Sequence, residues 1–403
     1  MDGYLFSYNV IMHQPIYLDN QSTTPLDPAV LKSMLPFFQN KYGNAASVHH
    51  AYGREAKEAV EMARRIIASE LNAQTREIIF TSGATESINL AIRGICDQQK
   101  EKGRHLITQV TEHKAVLDTC VAMEKQGWEV TYLPVDAMGR VDPDAVMESI
   151  RIDTVLVSIM HANNEIGTIQ PVSEIGAICH SKNAFFFVDA CQSFGKLPID
   201  VQEMNIDLLA ATGHKIYGPK GIGMLFARQK DPKIKLTIQL EGGGHERGMR
   251  SGTLPVPLIV GFGSAIEVCQ EKRDGENAKL EKYRDQMIDE IITAHPKVIL
   301  NGPRRNRLAH NINLCFTGLD AETLITKMKG IACSTGSACS SANLEPSHVL
   351  KALGHDNEMS HSAIRFSLGR FNTPEEIQKA TREIIDVVSD LEKKLPRHQH
   401  INN

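Results

Sequence analysis

A lysine stands where an apolar stretch of this sequence runs into a glycine-rich loop. Residues 206–228 read IDLLAATGHKIYGPKGIGMLFAR, and the apolar run ends at His214 and Lys215. An ordinary lysine extends its charge into water, whereas a desolvated lysine loses its proton readily and becomes an amine nucleophile toward an aldehyde. We therefore interpret Lys215 as the candidate nucleophile. Lys114 opens a predicted helix and Lys220 lies inside the loop, so we expect both rivals to be solvated.

The stretch FTSGATES, residues 80–87, places Gly83 between a predicted strand and the start of a predicted helix. Glycine lets the backbone approach an anion, and the free N–H groups and dipole of a helix N-terminus favour negative charge. The same residues also fit a plain helix cap. Taken alone, the stretch leaves a phosphate site and a structural cap both open.

A buried carboxylate is predicted in FFFVDACQS, residues 185–193, where Asp189 directly follows four apolar residues. Such a group must be paired or hydrogen-bonded, because burying an unpaired charge costs several kcal/mol. Asp189 could cap the next helix, or it could be a fixed anion that keeps a heteroaromatic nitrogen protonated. An anion site, a buried aspartate and a lysine one strand later follow the order expected of a pyridoxal 5′-phosphate (PLP) site.

Cys339 lies in CSTGSACSSAN, residues 333–343, a run of small residues with almost nothing to bury. Free cysteines are ordinarily buried and inert, but a cysteine on a flexible polar loop is accessible and reacts as the thiolate. From the residues alone, Cys339 is either an ordinary thiol or a nucleophile on a loop that swings. Cys333 is interpreted as a structural thiol, with a relay role left open.

The elements that must position these residues alternate between short apolar runs and amphipathic segments. The predicted strands are EIIFT, HLITQ, EVTYLPV, TVLVSIM, AFFFVDA, DLLAATG and IGMLFAR. This alternation predicts a mostly parallel, doubly wound α/β sheet. Ligands of such sheets bind outside the carboxyl ends of the strands, and polar residues cluster at those ends: Ser82 to Thr85, Glu112 and His113, His161 to Glu165, Asp189, Gln192, and Thr212 to Lys215. Before the sheet, residues 53–73 predict a helix with one apolar face formed by Ala56, Val60, Ala63, Ile67 and Leu71.

Composition excludes several classes of protein. The chain has 403 residues and a formal net charge of −4, with length for two to three domains and no basic block that would indicate a nucleic-acid partner. It has no run of 18 consecutive apolar residues, so we expect no membrane span. The N-terminus lacks a signal-peptide pattern, and the eight scattered cysteines form no CxxC pair. We therefore expect reduced thiols and a cytoplasmic location.

Seven longer motifs stand in one order along nearly the whole chain, from about residue 17 to 370. They are TSGATES, TEHKAVLD, MHANNEIG, GHKIYGPKGIG, GGGHERGMRSGTLP, STGSACSSANLEPSHVL and IRFSLGRF. Together they resemble the cysteine desulfurase family of the class V PLP-dependent aminotransferase superfamily, in the group that supplies sulfur for iron–sulfur cluster assembly. A single motif would be only a hypothesis, whereas seven in order are specific. The resemblance implies the aspartate aminotransferase-like fold (fold type I), PLP as cofactor and a homodimer.

The resemblance also implies roles for individual residues. Lys215 matches the lysine to which PLP is covalently attached, His113 matches the imidazole that stacks on the ring and acts as an acid–base group, and Cys339 matches the nucleophile that receives sulfur. The remaining cofactor contacts are implied for the phosphate (Ala84, Thr85, Thr212, Gly213, His214 and Thr253 of the partner subunit), the pyridine nitrogen (Asp189) and the ring oxygen (Asn164 and Gln192).

Arg365, in HSAIRFSLGRF, matches the arginine that binds the substrate carboxylate. A guanidinium offers two parallel donors to a carboxylate in fixed geometry. Arg370 is the nearby alternative, and it would otherwise be expected in a surface ion pair. Asn164 is also implied to contact the substrate.

The implied activity is conversion of L-cysteine to L-alanine, with the sulfur held as a persulfide on Cys339. An iron–sulfur scaffold or another acceptor protein would then receive it, with tRNA thiolation as a further use. No metal site of its own is expected, although Cys339 is considered as a transient ligand of a cluster shared with a scaffold. Two units are predicted: residues 25–270 as the PLP-binding domain, and 1–24 with 271–403 as a smaller α+β domain carrying the cysteine loop.

Three alternatives remain at this point: a selenocysteine lyase, an aminotransferase of the same fold, and a non-catalytic sulfur-assembly scaffold. An aminotransferase would not need Cys339, and a scaffold would not need Lys215, Asp189 and His113. Cys191 stands where the family usually has alanine or threonine, and its role stays open. The sequence ends at Asn403 without the family's longer docking tail, so the acceptor also stays open.

Overall fold

The computed structural model describes residues 14–335 and 346–394 as alternating strands and helices. The strands are β1 (Ile16–Tyr17), β2 (Ile78–Thr81), β3 (His105–Gln109), β4 (Glu129–Leu133), β5 (Thr154–Ser158), β6 (Phe185–Asp189), β7 (Leu208–Thr212), β8 (Gly223–Ala227), β9 (Val298–Leu300), β10 (Asn311–Phe316), β11 (Ile331–Ala332) and β12 (Ala363–Ser367). The helices are α1 (Pro28–Gln39), α2 (Ala51–Glu70), α3 (Ala84–Gln99), α4 (Lys114–Glu124), α5 (Pro143–Ser149), α6 (Val172–Ser181), α7 (Val256–Ala294), α8 (Ala321–Lys327), α9 (His348–Ala352), α10 (Asn357–His361) and α11 (Pro374–Glu392).

Seven strands form the main sheet in the order β2-β8-β7-β6-β5-β3-β4. Neighbours from β7 to β4 run parallel, while β8 runs antiparallel to both β2 and β7. Every one of these strands coincides with a run predicted from the sequence. The predicted mostly parallel α/β class is therefore confirmed.

The apolar runs arise because this sheet is covered on both faces, so most of its strands have no solvent side. The edge strand β4 is the exception, since Glu129 is exposed and only Leu133 is buried. Successive side chains of a strand point to opposite faces, and β6 follows this rule. Phe186 and Val188 pack into the core that includes α2, whereas Phe187 packs into the core that includes α3 and α4. The predicted apolar face of α2 is confirmed, since its five residues, with Leu71 at the C-cap, belong to the first of these cores.

Helix α7 links the main sheet to a second core. Its 39 residues begin in an apolar stretch and continue without a break into a charged one. Phe262 and Ile266 pack against the main sheet, whereas Met287 and Ile288 pack against the three-stranded sheet β12-β10-β9. The predicted domain boundary at residues 270 and 271 falls within this continuous helix, and the division stays a prediction. In the part of the chain that the structure describes, no helix has both the length and the apolar character needed to cross a bilayer.

The N-terminal segment connects the two sheets at the edge where the parallel strands end. The N–H of Thr24 donates to the carbonyl of His214 at 2.9 Å, and Asn20 Nδ2 donates to the carbonyl of Ser367 at 2.9 Å. Strand β12, which ends at Ser367, also carries Arg365. Residues from distant parts of the sequence are thereby held beside the carboxyl ends of β3, β5, β6 and β7.

Candidate active site

A cavity of about 740 Å³ opens at this edge of the main sheet. Its lining comes from the loops after five parallel-oriented strands, from the N-terminal segment and from β12. Most of the predicted site residues line it: Ala84, Thr85, His113, Asn164, Asp189, Gln192, Thr212, His214, Lys215 and Arg365. The topology thus brings together side chains that are far apart in the sequence.

Lys215 lies in a short 3₁₀ turn, Gly213–Lys215, immediately after β7. Its Nζ donates to the backbone carbonyls of Gln21 and of Ser22, the latter at 2.7 Å. The side chain is half-buried, whereas the rivals Lys114 and Lys220 are exposed, although Lys220 also borders the cavity. Of the three candidate lysines, Lys215 is therefore the one that both lines the cavity and is partly shielded from water.

The N-terminus of α3 lies on the cavity wall and is suited to an anion. Gly83 precedes the helix with a φ of 157°, and no side chain caps it. Ala84 and Thr85 begin the helix at the cavity. The acid of the first turn, Glu86, accepts hydrogen bonds from Arg250 Nε and from the N–H of Ser82, each at 2.7 Å. The side-chain acceptor of a plain cap is missing here, so the helix end can receive an anionic group.

Two further polar side chains face the same part of the cavity. Thr212 Oγ1 donates to the carbonyl of Ile222 at 3.2 Å, and His214 Nδ1 lies 3.2 Å from Thr23 Oγ1. Burial, followed by the nearby charge of Lys215, lowers the pKa of His214 to about 4. His214 is therefore a neutral imidazole near pH 7 and can donate a hydrogen bond from one ring nitrogen.

Asp189 ends β6 and is only 5% exposed. Its Oδ1 accepts the N–H of Cys191 at 2.9 Å, a bond within the turn that follows β6. No helix lies between β6 and β7, a segment that the structure describes throughout, so the interpretation that Asp189 caps the next helix is wrong. Asp189 also lines the cavity, where its carboxylate can serve as the fixed anion predicted to keep a heteroaromatic nitrogen protonated. Gln192 donates from Nε2 to the carbonyl of Gln21 at 3.1 Å. Its Oε1 is buried and has no hydrogen-bond partner among the described residues.

His113 is the N-cap of α4, and its Nδ1 accepts the N–H of Ala115 at 3.1 Å. In the neutral ring this bond leaves Nε2 to carry the proton. The same half-buried ring lines the cavity. His113 is thus a helix-start histidine, and that structural role fixes its tautomer without removing it from the site.

Arg365 is the arginine at the cavity. Its Nη2 contacts Asp19 Oδ1 at 2.9 Å and Ser22 Oγ at 2.6 Å, and its Nη1 donates to the carbonyl of Asn164 at 2.8 Å. Arg370, the alternative, is not part of the lining. Arg370 instead binds Asp27 Oδ2 at 2.7 Å in an ion pair that is buried, so the expected surface pair is wrong.

Two of the predicted residues that the structure describes, Gly213 and Thr253, are not in the cavity lining. Gly213 is buried, and a Cβ atom there would lie 3.0 Å from Ile222 and from the Pro219 carbonyl, which explains the glycine by packing. Thr253 is exposed and lies outside the lining of this chain's cavity. Cys339 lies outside the described residues.

The N-terminal segment supplies lining residues that sequence reasoning missed. Asp19, Gln21, Ser22 and Thr23 all border the cavity. The available signal was a polar run, DNQSTT, between the apolar IYL and Pro25. Nothing local in such a run indicates contact with residues almost 350 positions away.

Comparison with known proteins gives the chain its family. The model of the class-V aminotransferase family matches residues 16–380. A Rickettsia bellii protein named Cysteine desulfurase IscS is 50% identical over 377 residues, covering 94% of this chain and 92% of that protein. A Homo sapiens protein named Cysteine desulfurase is 48% identical, covering 95% and 84%. The chain belongs to the cysteine desulfurase family.

Solved structures of cysteine desulfurase relatives support the fold. A NifS-like protein superposes with a TM-score of 0.87 at 35% identity, covering 94% of this chain and all of that one. A structure described as SspA in complex with cysteine has a TM-score of 0.78 at 38% identity, covering 89% and 100%. The predicted family and fold are therefore confirmed, and this cysteine desulfurase-family chain is a PLP-dependent enzyme.

The groups that line the cavity fit PLP, the cofactor of the family. The uncapped N-terminus of α3 suits the phosphate, the buried carboxylate of Asp189 suits a protonated ring nitrogen, and the amine of Lys215 suits the aldehyde. These three groups come from three different strand ends of one cavity. The assignment of individual contacts stays a prediction.

Proposed function

We propose that this chain desulfurates L-cysteine to L-alanine and holds the sulfur as a persulfide on Cys339 for delivery to iron–sulfur cluster assembly. The observation that carries the proposal is the convergence of Lys215, Asp189, His113 and Arg365 on one cavity. The similar structure described as SspA in complex with cysteine supports L-cysteine as the substrate.

Each of these residues has a defined task in the proposed reaction. When bound, PLP supplies an electron sink for the negative charge that forms at the substrate α-carbon. Arg365 binds the substrate carboxylate, and the Lys215 amine removes the α-proton. Asp189 holds a proton on the ring nitrogen by its fixed negative charge. His113, with a proton on Nε2, is the acid–base group on the cavity wall.

Cys339 then performs the sulfur step as a thiolate. Its sulfur attacks the sulfur of L-cysteine, an S–S bond forms and the C–S bond of the substrate breaks. The electron pair of the broken bond goes to the substrate carbon, which takes up a proton and leaves as L-alanine. Overall, one thiol and one molecule of L-cysteine become one persulfide and one molecule of L-alanine, so no external oxidant is needed.

A homodimer is part of the proposal. Helix α1 exposes one apolar stripe formed by Leu31, Leu35 and Phe38, which are 43%, 43% and 57% exposed. Such a stripe favours burial against another protein surface. Thr253, exposed and outside the cavity of its own chain, would complete the phosphate site of a second copy. Light scattering of wild type and of Phe38→Glu tests this: a dimer that becomes a monomer in the variant is expected.

We further infer a cytoplasmic enzyme whose persulfide passes to an acceptor protein, either an iron–sulfur scaffold or a tRNA-thiolation partner. The outer sulfur of the Cys339 persulfide would pass to a thiol of the acceptor, which leaves Cys339 as a thiol again. Mass spectrometry of proteins that take up labelled sulfur from Cys339 identifies the acceptor. Sulfur released only as free sulfide, with no labelled protein, would contradict the transfer step.

The activity is tested by measuring L-alanine and Cys339 persulfide formed from L-cysteine. We expect Cys339→Ser to lose both products, whereas the matched control Cys333→Ser keeps them. Full activity in Cys339→Ser would exclude this nucleophile and favour an aminotransferase. Strong preference for L-selenocysteine would favour a selenocysteine lyase, and a colourless protein that does not bind added PLP would favour a non-catalytic scaffold.

A further inference from the structure

Glu112 is a buried carboxyl group that the reaction proposed above does not use. It lies between β3 and α4, and it is 0% exposed. Its Oε1 accepts hydrogen bonds from Gln109 Nε2 at 2.9 Å and from the N–H of Met160 at 2.5 Å. Its Oε2 is also buried and has no hydrogen-bond partner in the described part of the chain. An ionised carboxylate with one bare oxygen would be costly here, because burial removes its hydration.

The surroundings of Glu112 connect it to Asp189. The segment of Met160 and His161 donates one N–H to each carboxyl-bearing residue: Met160 to Glu112 Oε1, and His161 to the Asp189 carbonyl at 2.9 Å. Met160 and Asp189 both line the cavity, whereas Glu112 does not. Glu112 therefore lies behind the cavity wall, on the protein side of the segment that it shares with Asp189.

The electrostatics of this pair favour one charge rather than two. Burial, and next the charge of Asp189, raise the pKa of Glu112 to about 8, although the bonds from Met160 and Gln109 act in the opposite direction. When two carboxyl groups interact in a site of low dielectric, one of them keeps its proton. Glu112 is the more completely buried of the two, so it is the group that stays neutral.

The other titratable groups around Glu112 do not change this assignment. Burial lowers the pKa of His161 to about 4, and burial is also the main cause that raises the pKa of Cys120 in α4 to about 12. His113 follows Glu112 directly and bonds through Nδ1 to Ala115. His348 in α9 bonds through Nε2 to the Glu112 backbone carbonyl, at 2.9 Å, rather than to its carboxyl group.

We propose that Glu112 is a positioning residue that stays protonated behind Asp189, so that a single negative charge faces the ring nitrogen of the cofactor. The proposal rests on the role proposed above for Asp189. Ionisation of Glu112 in alkaline solution places a second negative charge behind the cavity wall. The environment of the bound cofactor then changes with the charge of a residue that never touches it.

The test compares wild type with Glu112→Gln and with Glu77→Gln as a matched control. Glutamine at position 112 is neutral at every pH and keeps a side-chain oxygen that can accept the hydrogen bonds from Met160 and Gln109. Glu77 is also buried, but its carboxylate accepts the N–H groups of Gln74 and Gln229, both at 2.8 Å. Infrared spectra of the full chain without cofactor are expected to contain a protonated-carboxyl band in wild type and Glu77→Gln. The band should disappear in Glu112→Gln, and in wild type as the pH passes about 8.

Two further readouts follow the same titration. A carboxyl group with a raised pKa in the folded state stabilises the fold less as the pH rises from the unfolded value, about 4.3 for glutamate, toward 8. The Tm of wild type should therefore fall relative to that of Glu112→Gln over this range. In the loaded enzyme, the absorption of the bound cofactor should shift with a midpoint near pH 8 in wild type and in Glu77→Gln, and this shift should be missing in Glu112→Gln.

A wild-type spectrum without a protonated-carboxyl band would overturn the proposal, and this measurement does not depend on any variant folding. An alkaline absorption shift that persists in Glu112→Gln would overturn it as well. Failure of the proposed desulfurase activity is separately visible. In that case wild type forms no L-alanine from L-cysteine, whatever the infrared band shows.

Discussion

The guanidinium of Arg365 is paired with the carboxylate of Asp19, with Nη2 and Oδ1 separated by 2.9 Å. The arginine side chain is 4% exposed and the aspartate side chain 19% exposed, so the pair is largely withdrawn from water. The carboxylate of an amino-acid substrate at Arg365 is a second anion for the same cation. Asp19 is therefore a competitor for the group proposed to bind the substrate.

Asp19→Asn removes this competitor without changing the shape of the side chain. We expect the free protein to lose roughly 1–3 kcal/mol of stability, because a buried hydrogen bond between two charged groups is lost. A substrate carboxylate supplies the missing charge, so the KM for L-cysteine should fall several-fold. Denaturant unfolding and steady-state kinetics measure the two effects. Asp27→Asn, which disrupts the pair with Arg370, is the control and should lower stability with no change in KM. A raised KM in Asp19→Asn would mean that Asp19 orients Arg365 instead.

The two neighbouring arginines can be separated by the same substitution at each position. Arg370 lies 4.2 Å above the ring of Tyr217 and binds both Asp27 and Glu276. Lysine reproduces neither the stacking nor the fork of donors. Arg370→Lys should therefore lower the free energy of unfolding by about 1–3 kcal/mol with an unchanged KM.

Arg365→Lys should instead raise the KM for L-cysteine by about 10- to 100-fold, the equivalent of one hydrogen bond to a charged group. Product assays over a range of L-cysteine concentrations, with thermal unfolding in parallel, distinguish the two variants. A KM effect confined to Arg370→Lys would contradict the assignment of Arg365.

The sequence predicted the main sheet well because most of its strands are buried, largely apolar runs, readable without knowledge of their neighbours; the partly exposed edge strand β4 is the exception. Lys215 and Asp189 were found for the same reason, since polar residues at the ends of such runs are conspicuous. The role of Asp19 could not be predicted, because its contact with Arg365 spans 346 positions. The predicted domain boundary at residues 270 and 271 lies inside α7, at the point where its apolar half gives way to a charged half. The first half packs against the main sheet and the second half against the three-stranded sheet. The two halves therefore differ in their pattern of apolar residues, and no single periodicity describes both.

His113 combines a structural and a proposed chemical task, and one substitution can divide them. Asparagine is a favourable N-cap residue, so His113→Asn should keep the cap of α4 and the Tm while losing the imidazole. We expect kcat to fall by about 10²- to 10⁴-fold, the usual contribution of a general acid or base. His113→Ala should lose the same activity and also about 1 kcal/mol of stability. An active His113→Asn would limit His113 to its capping role.

Thiol alkylation should distinguish Cys339 from the other cysteines. Burial raises the pKa of every cysteine in the described part of the chain, in the case of Cys333 to about 12. Because the thiolate is the reactive form, these seven thiols should resist alkylation near pH 7. The proposed nucleophile should react, so iodoacetamide is expected to add about one label to each native chain, at Cys339. Intact-mass measurement and peptide mapping check this, and Cys339→Ser should remain unlabelled. A fast label on Cys191 or Cys333 would contradict the prediction, since their raised pKa values leave almost no thiolate to react.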